Sequence, residues 1–79
     1  MDLIEAKNEA ILKIKFQAKH RIEDSIPLWK QINAALGLYD AEKTQAIKDA
    51  ISAVRTASDT AEAAVNALED VAAVEGFAW

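Results

Sequence analysis

His20 is the only histidine in the chain, and Asp24 stands one helical turn beyond it, where a carboxylate could orient the ring. General-base chemistry would need a nucleophile or a substrate pocket beside that imidazole. The nearest hydroxyl in sequence, Ser25, falls on another face of a helix. A surface histidine accounts for the position better. Glu69, Asp70 and Glu75 could attract a cation, but neither an EF-hand loop nor a His-rich ligand set accompanies them. The absence of cysteine removes thiolate nucleophiles, disulfides and Cys-based metal sites together. Lys13, Lys15, Lys19, His20 and Arg21 form the one basic cluster, and it could touch phosphate. The chain as a whole carries −4, however, and only Phe16 interleaves the cluster, so pairing with acidic parts of the same chain explains it better. Glu5, Glu9 and Glu23 likewise dilute any membrane-binding face. The residues therefore point away from catalysis, cofactors, metals, nucleic acid and membranes, and toward protein–protein contact.

The elements that carry these residues are helical. Apolar positions recur every three to four residues from residue 40 to 75 with no Gly or Pro between them, which predicts one long helix over about 41–75. Ile47, Val54, Ala61 and Leu68 form its seam. Ala50, Ala57, Ala64 and Val71 lie three further on, and Ile51, Val65 and Ala72 widen the stripe. A first helix is expected over about 2–24, with Asp2 favouring its start and Ile4, Ile11, Ile14, Ala18 and Ile22 forming its stripe. Pro27 must kink or break this arm, with Ser25 or Ile26 capping a short helix over about 26–36. The stripe resumes in phase at Trp29, Ile32 and Leu36. Gly37 then offers a left-handed stop with Leu38 behind it, and Asp40 an N-cap for the long helix. Gly76 and Phe77 repeat the stop at the far end.

The two arms match in length, which predicts an all-α antiparallel helical hairpin in one domain spanning 1–79, oligomeric or docked in an assembly. In that register Lys13 and Lys15 come opposite Ala61 and Glu62, and Phe77 and Trp79 return beside Leu3 and Ile4. Residues 1–39 hold six bases against five acids and residues 40–79 three against eight, so opposite signs favour antiparallel docking. No signal-peptide or membrane-spanning run is present, so an intracellular soluble protein is the default expectation. A single core of 79 residues seldom supplies more than about 3–5 kcal/mol unaided, and the staple here has to be packing or association. Leu12 and Phe16 form an apolar pair away from the first helix's stripe. Thr56, Thr60, Ala63 and Ala67 extend a small-residue surface past the seam of the long helix. With Trp29, these are the expected partner-binding residues.

Two stretches also carry a resemblance. Arg21-Ile22 followed by Pro27-Leu28-Trp29-Lys30-Gln31-Ile32-Asn33, then Ala46 to Ile51, Val54 to Asp59 and Glu62-Ala63-Ala64, resemble helical segments of tail-associated proteins of tailed bacteriophages, over roughly residues 20–66. The resemblance implies a tail-fibre or tail-assembly protein, found in the virion or the bacterial host cytoplasm, whose partners are its own copies or other tail proteins. It further implies that Trp29 and Ile32 anchor the short helix against Ile47 and Ile51, with Arg55 and Asp59 making polar contacts beside the seam. From another class, a small phage-encoded inhibitor or adaptor would occupy a groove on a host protein with Leu12, Phe16 and the basic strip.

Overall fold

The first helix starts where Asp2 places a carboxylate over the open turn, its side chain accepting from the Glu5 N–H at 2.8 Å. A computed structural model describes residues 2–79, whose regular structure is all helical, without a strand. Helix α1 runs Leu3–Ser25, α2 Leu28–Ala35, α3 Ala41–Ala67 and α4 Val71–Glu75. The whole measures 48 × 17 × 15 Å.

Pro27 breaks the first arm outright. Steric pressure from a proline ring pushes the preceding residue out of the helical region, and Ile26 sits at φ −133°, ψ 95°. Its N–H still donates to the Ile22 carbonyl at 2.7 Å, the last bond of α1. Neither Ser25 nor Ile26 caps the next helix. Pro27 itself stands at that position, its carbonyl accepting from the Lys30 and Gln31 N–H groups, while Gln31 Nε2 returns a bond to the Ile26 carbonyl at 2.8 Å. At the other end of α2, Gly37 takes φ +74°. The Leu38 N–H reaches the Asn33 carbonyl at 3.0 Å and the Gly37 N–H reaches Ala34 at 3.2 Å, the paired bonds of a Schellman stop. Asp40 then caps α3 by accepting from the Lys43 N–H at 2.7 Å.

Helices α1 and α3 lie side by side in opposite directions, with Lys7 Nζ donating to the Asn66 carbonyl at 2.7 Å and Lys15 Nζ 3.5 Å from a Glu62 oxygen. That register corrects the expectation of one helix over 41–75. With Lys7 opposite Asn66, α1 runs out near Leu3, so a helix continuing past about residue 70 would extend its apolar side chains beyond any partner. The chain instead leaves the helix at Leu68, which is extended at ψ 142°, and Asp70 caps α4 by accepting from the Ala73 N–H at 3.2 Å. Helix α4 packs against α1 and buries Val74. Trp79 is carried along α1 to Gln17 and Arg21 rather than to Ile4, which is exposed. Gly76 has φ −87°, so the second stop is not left-handed as Gly37 is.

The core sits where three segments meet. Ala6, Ile14, Ala61, Val65 and Val74 are buried together, with Leu3, Ile11, Leu68, Val71, Phe77 and Trp79 packed around them. On α3 the facing row is Ile47, Ile51, Val54, Ser58, Ala61, Val65 and Leu68, alternating steps of four and three. Ala50, Ala57 and Ala64, expected beside the seam, are exposed. The bulkier Ile51 and Val65 take the second row, and Ser58 is drawn into it. At the opposite end α2 contributes no buried residue.

Candidate functional site

The residues expected to meet a partner lie on three separate faces. Leu12 and Phe16 project from α1 on the side away from α3, and both remain about two-thirds exposed. His20 follows Phe16 one turn on and meets its ring edge-on at 4.5 Å between centroids. No hydrogen bond joins His20 to Asp24 among the described residues, so the imidazole is held by an aromatic neighbour rather than oriented by a carboxylate. Thr56, Thr60, Ala63 and Ala67 share the side of α3 opposite its seam and are exposed. The Thr60 hydroxyl donates back to the Thr56 carbonyl at 3.0 Å, which satisfies it within its own helix.

Trp29 stands apart from both sets. On α2 it shares a face with Leu28, Ile32 and Leu36, a stripe about 100° wide at 100° per residue, and all four are at least half exposed. Trp29 and Ile32 therefore do not anchor α2 against Ile47 and Ile51. The other side of α2 does so: Gln31, Ala34 and Ala35 border a recess of 170 Å³ over Thr44, Ile47 and Ile51. The reason is the break at Pro27. A continuous helix would bring Trp29, Ile32 and Leu36 round to the α1 seam, whereas two non-helical residues reset the phase and turn that stripe outward.

Between α1, α2 and α3 lies an open cleft of 540 Å³. Lys15, Lys19 and Glu23 border it from α1, Leu28 and Gln31 from α2, and Arg55, Ser58, Asp59 and Glu62 from α3. Arg55 and Asp59 thus border the cleft, and neither side chain makes a hydrogen bond or ion pair among the described residues. Ser58 is the residue missed in reading the sequence: a hydroxyl side chain 6 % exposed in an apolar row. Its spacing, seven before Val65 and four after Val54, was the available signal. The cleft carries both signs of charge, and His20 is not part of its lining.

The basic cluster is partly consumed within the chain. The Arg21 guanidinium lies 3.8 Å over the Trp79 ring and donates to the Trp79 backbone oxygen, while Trp79 Nε1 donates to Gln17 Oε1 at 2.8 Å. Lys15–Glu62 is the one ion pair among the described residues, so the opposite charges of the two halves meet at a single point rather than along the helices. Among those residues no group of three or more His, Asp or Glu side chains is placed to hold a metal ion. None of the helices is long and apolar enough to cross a membrane. Compared with protein-family models, curated proteins and solved structures, the chain finds no match.

Proposed function

We propose that this chain is a non-catalytic helical hairpin that joins a protein assembly by helix–helix packing, as a structural or assembly component of a bacteriophage tail. The observation that carries the packing role is α2. An eight-residue helix without a single buried side chain turns Leu28, Trp29, Ile32 and Leu36 to the outside. Isolated helices of this length are marginal in water, and an exposed apolar stripe that includes a Trp is a common anchor of a protein interface. A groove between helices of a tail component fits such a stripe. The assignment to a tail is supported by the likeness of residues 20–66 to helical segments of tail-associated proteins, a stretch that contains all of α2.

Mass spectrometry of purified virions, combined with capture of virion proteins on the immobilised chain, tests the reading. The wild-type chain should retain a tail protein and a Trp29→Ala/Ile32→Ala variant should not, with unchanged helicity. Retention of one host enzyme through Leu12 and Phe16 would overturn the tail role in favour of an inhibitor.

A further inference from the structure

We infer that α4 is exchangeable between copies: in a dimer the break at residues 68–70 straightens, and the α4 of each copy fills the groove on the other that its own α4 fills in the monomer. The occupant of that groove is already in place. Val74 is buried against Ala6, Ile14 and Val65, and Trp79 Nε1 donates to Gln17 Oε1, so the α4 of a second copy would meet contacts the fold has already matched to it. The hinge decides between the two forms. Leu68, Glu69 and Asp70 include neither Gly nor Pro, and the apolar period of α3 runs on through them. A short connection that can continue the helix before it is a route to exchange.

The direction of α4 fits a straightened hinge. From the Lys7–Asn66 contact to the Gln17–Trp79 contact, α4 runs the same way as α1 and opposite to α3. Unbent, α3 leaves its own copy at the α4 end and enters a copy abutting it about a two-fold axis, with α4 again parallel to an α1. The reach agrees. Val74 lies eight residues beyond Asn66, about 12 Å of straight helix, while the path from Lys7 to its own Leu3 and on to Ala6 of the abutting copy is seven residues, about 10.5 Å. The partner that a continuous helix lacks within one chain is thus supplied by the second. Side chains hold the closed hinge: Lys7 Nζ donates to the Asn66 carbonyl, and the Asp70 carboxylate accepts from the Ala73 N–H. In a continuous helix the Asp70 N–H takes the Asn66 carbonyl and the Ala73 N–H takes that of Glu69, so both side chains favour the monomer alone.

Sedimentation equilibrium and small-angle scattering on the full chain test the inference. The wild type should be monomeric when dilute and dimeric when concentrated, with a dimer about twice the monomer's 48 Å length because the copies meet end to end. Lys7→Met and Asp70→Ala should each lower the concentration at the midpoint by about tenfold or more, since two hinges change per dimer. Glu69→Pro should abolish the dimer. Leu68, at φ −73°, ψ 142°, already has the backbone that a proline imposes on the residue before it, whereas a continuous helix does not admit the ring. Glu69→Gly, a milder change, should weaken the dimer, and circular dichroism confirms that both variants remain helical. A wild type that stays monomeric up to millimolar concentration, a dimer no longer than the monomer, or dimerisation that survives Glu69→Pro would overturn the proposal. Trp29 and Ile32 lie on α2, at the other end of the molecule, and are free in both forms. If exchange fails while capture through them persists, only this inference falls; if exchange holds and capture fails, the tail role falls instead.

Discussion

Replacing Val65 with alanine tests where the core lies. Its side chain has no exposed surface and is packed with Ala6, Ile14, Ala61 and Val74, at the point where α1, α3 and α4 meet. Removing two methyl groups costs about 1.6 kcal/mol in transfer free energy. If the walls do not close, the cavity adds about 1 kcal/mol. Alanine's better helix propensity returns roughly 0.5 kcal/mol, leaving a net loss of about 2 kcal/mol. For a chain whose core supplies some 3–5 kcal/mol that is a large fraction, and it corresponds to a fall in Tm of roughly 8–16 °C. Val54→Ala is the internal control. It stands on the same seam and carries the same chemistry but is only half-buried, where α4 does not reach. Its loss should be about 1 kcal/mol or less after the propensity gain. Urea unfolding followed by far-UV circular dichroism, at one fixed protein concentration because association couples to stability, measures both. Equal losses at the two positions, or a Val65→Ala loss below about 0.5 kcal/mol, would refute the placement of the core at the α4 end.

Three further substitutions probe the other features. Ala61→Leu should overpack the seam and cost about 1–3 kcal/mol, whereas Ala64→Leu, on the exposed row, should be near neutral in the same unfolding assay. Asp70→Ala removes the N-cap of α4 and should cost about 1 kcal/mol, with faster amide hydrogen exchange at Val74 and Phe77 than at residues of α3. Pro27→Ala should let α1 and α2 join, raise helicity, and swing Trp29 toward the α1 seam. In a Trp79→Phe background its fluorescence should shift to shorter wavelength, and an unchanged spectrum would contradict the phase argument.

What the sequence made legible was local. Asp2, Asp40 and Gly37 act as the caps and stop their types suggest, because each needs only backbone groups within a turn of itself. The Lys15–Glu62 contact followed from matching the arms about that turn. The larger departures are non-local. Leu68, Val71, Ala72 and Val74 keep a helical period straight through the break at residues 68–70, so periodicity cannot reveal it. What ends α3 is the distance at which α1 stops, and Asp70, a good N-cap in mid-pattern, was the only local sign. The choice between the Ala50, Ala57, Ala64 row and the Ile51, Ser58, Val65 row likewise turned on bulk, and Ser58 disguised the winner.

The two breaks do opposite things to the same kind of apolar stripe. At residues 68–70 the chain turns back along α1, and Val74 joins Ala6, Ile14, Ala61 and Val65 and is buried. At Pro27 the restart resets the helical phase, and Trp29 and Ile32, whose spacing would have carried them into the seam, are turned outside. Apolar period thus decides which side chains share a face, and the register of the neighbouring helix decides whether that face is covered. In this molecule the α4 end supplies its own cover, while the α2 stripe and the Leu12–Phe16 face do not. The same greasy spacing that closes a core at one end therefore leaves, at the other end and along the outer side of α1, surfaces whose burial needs another chain.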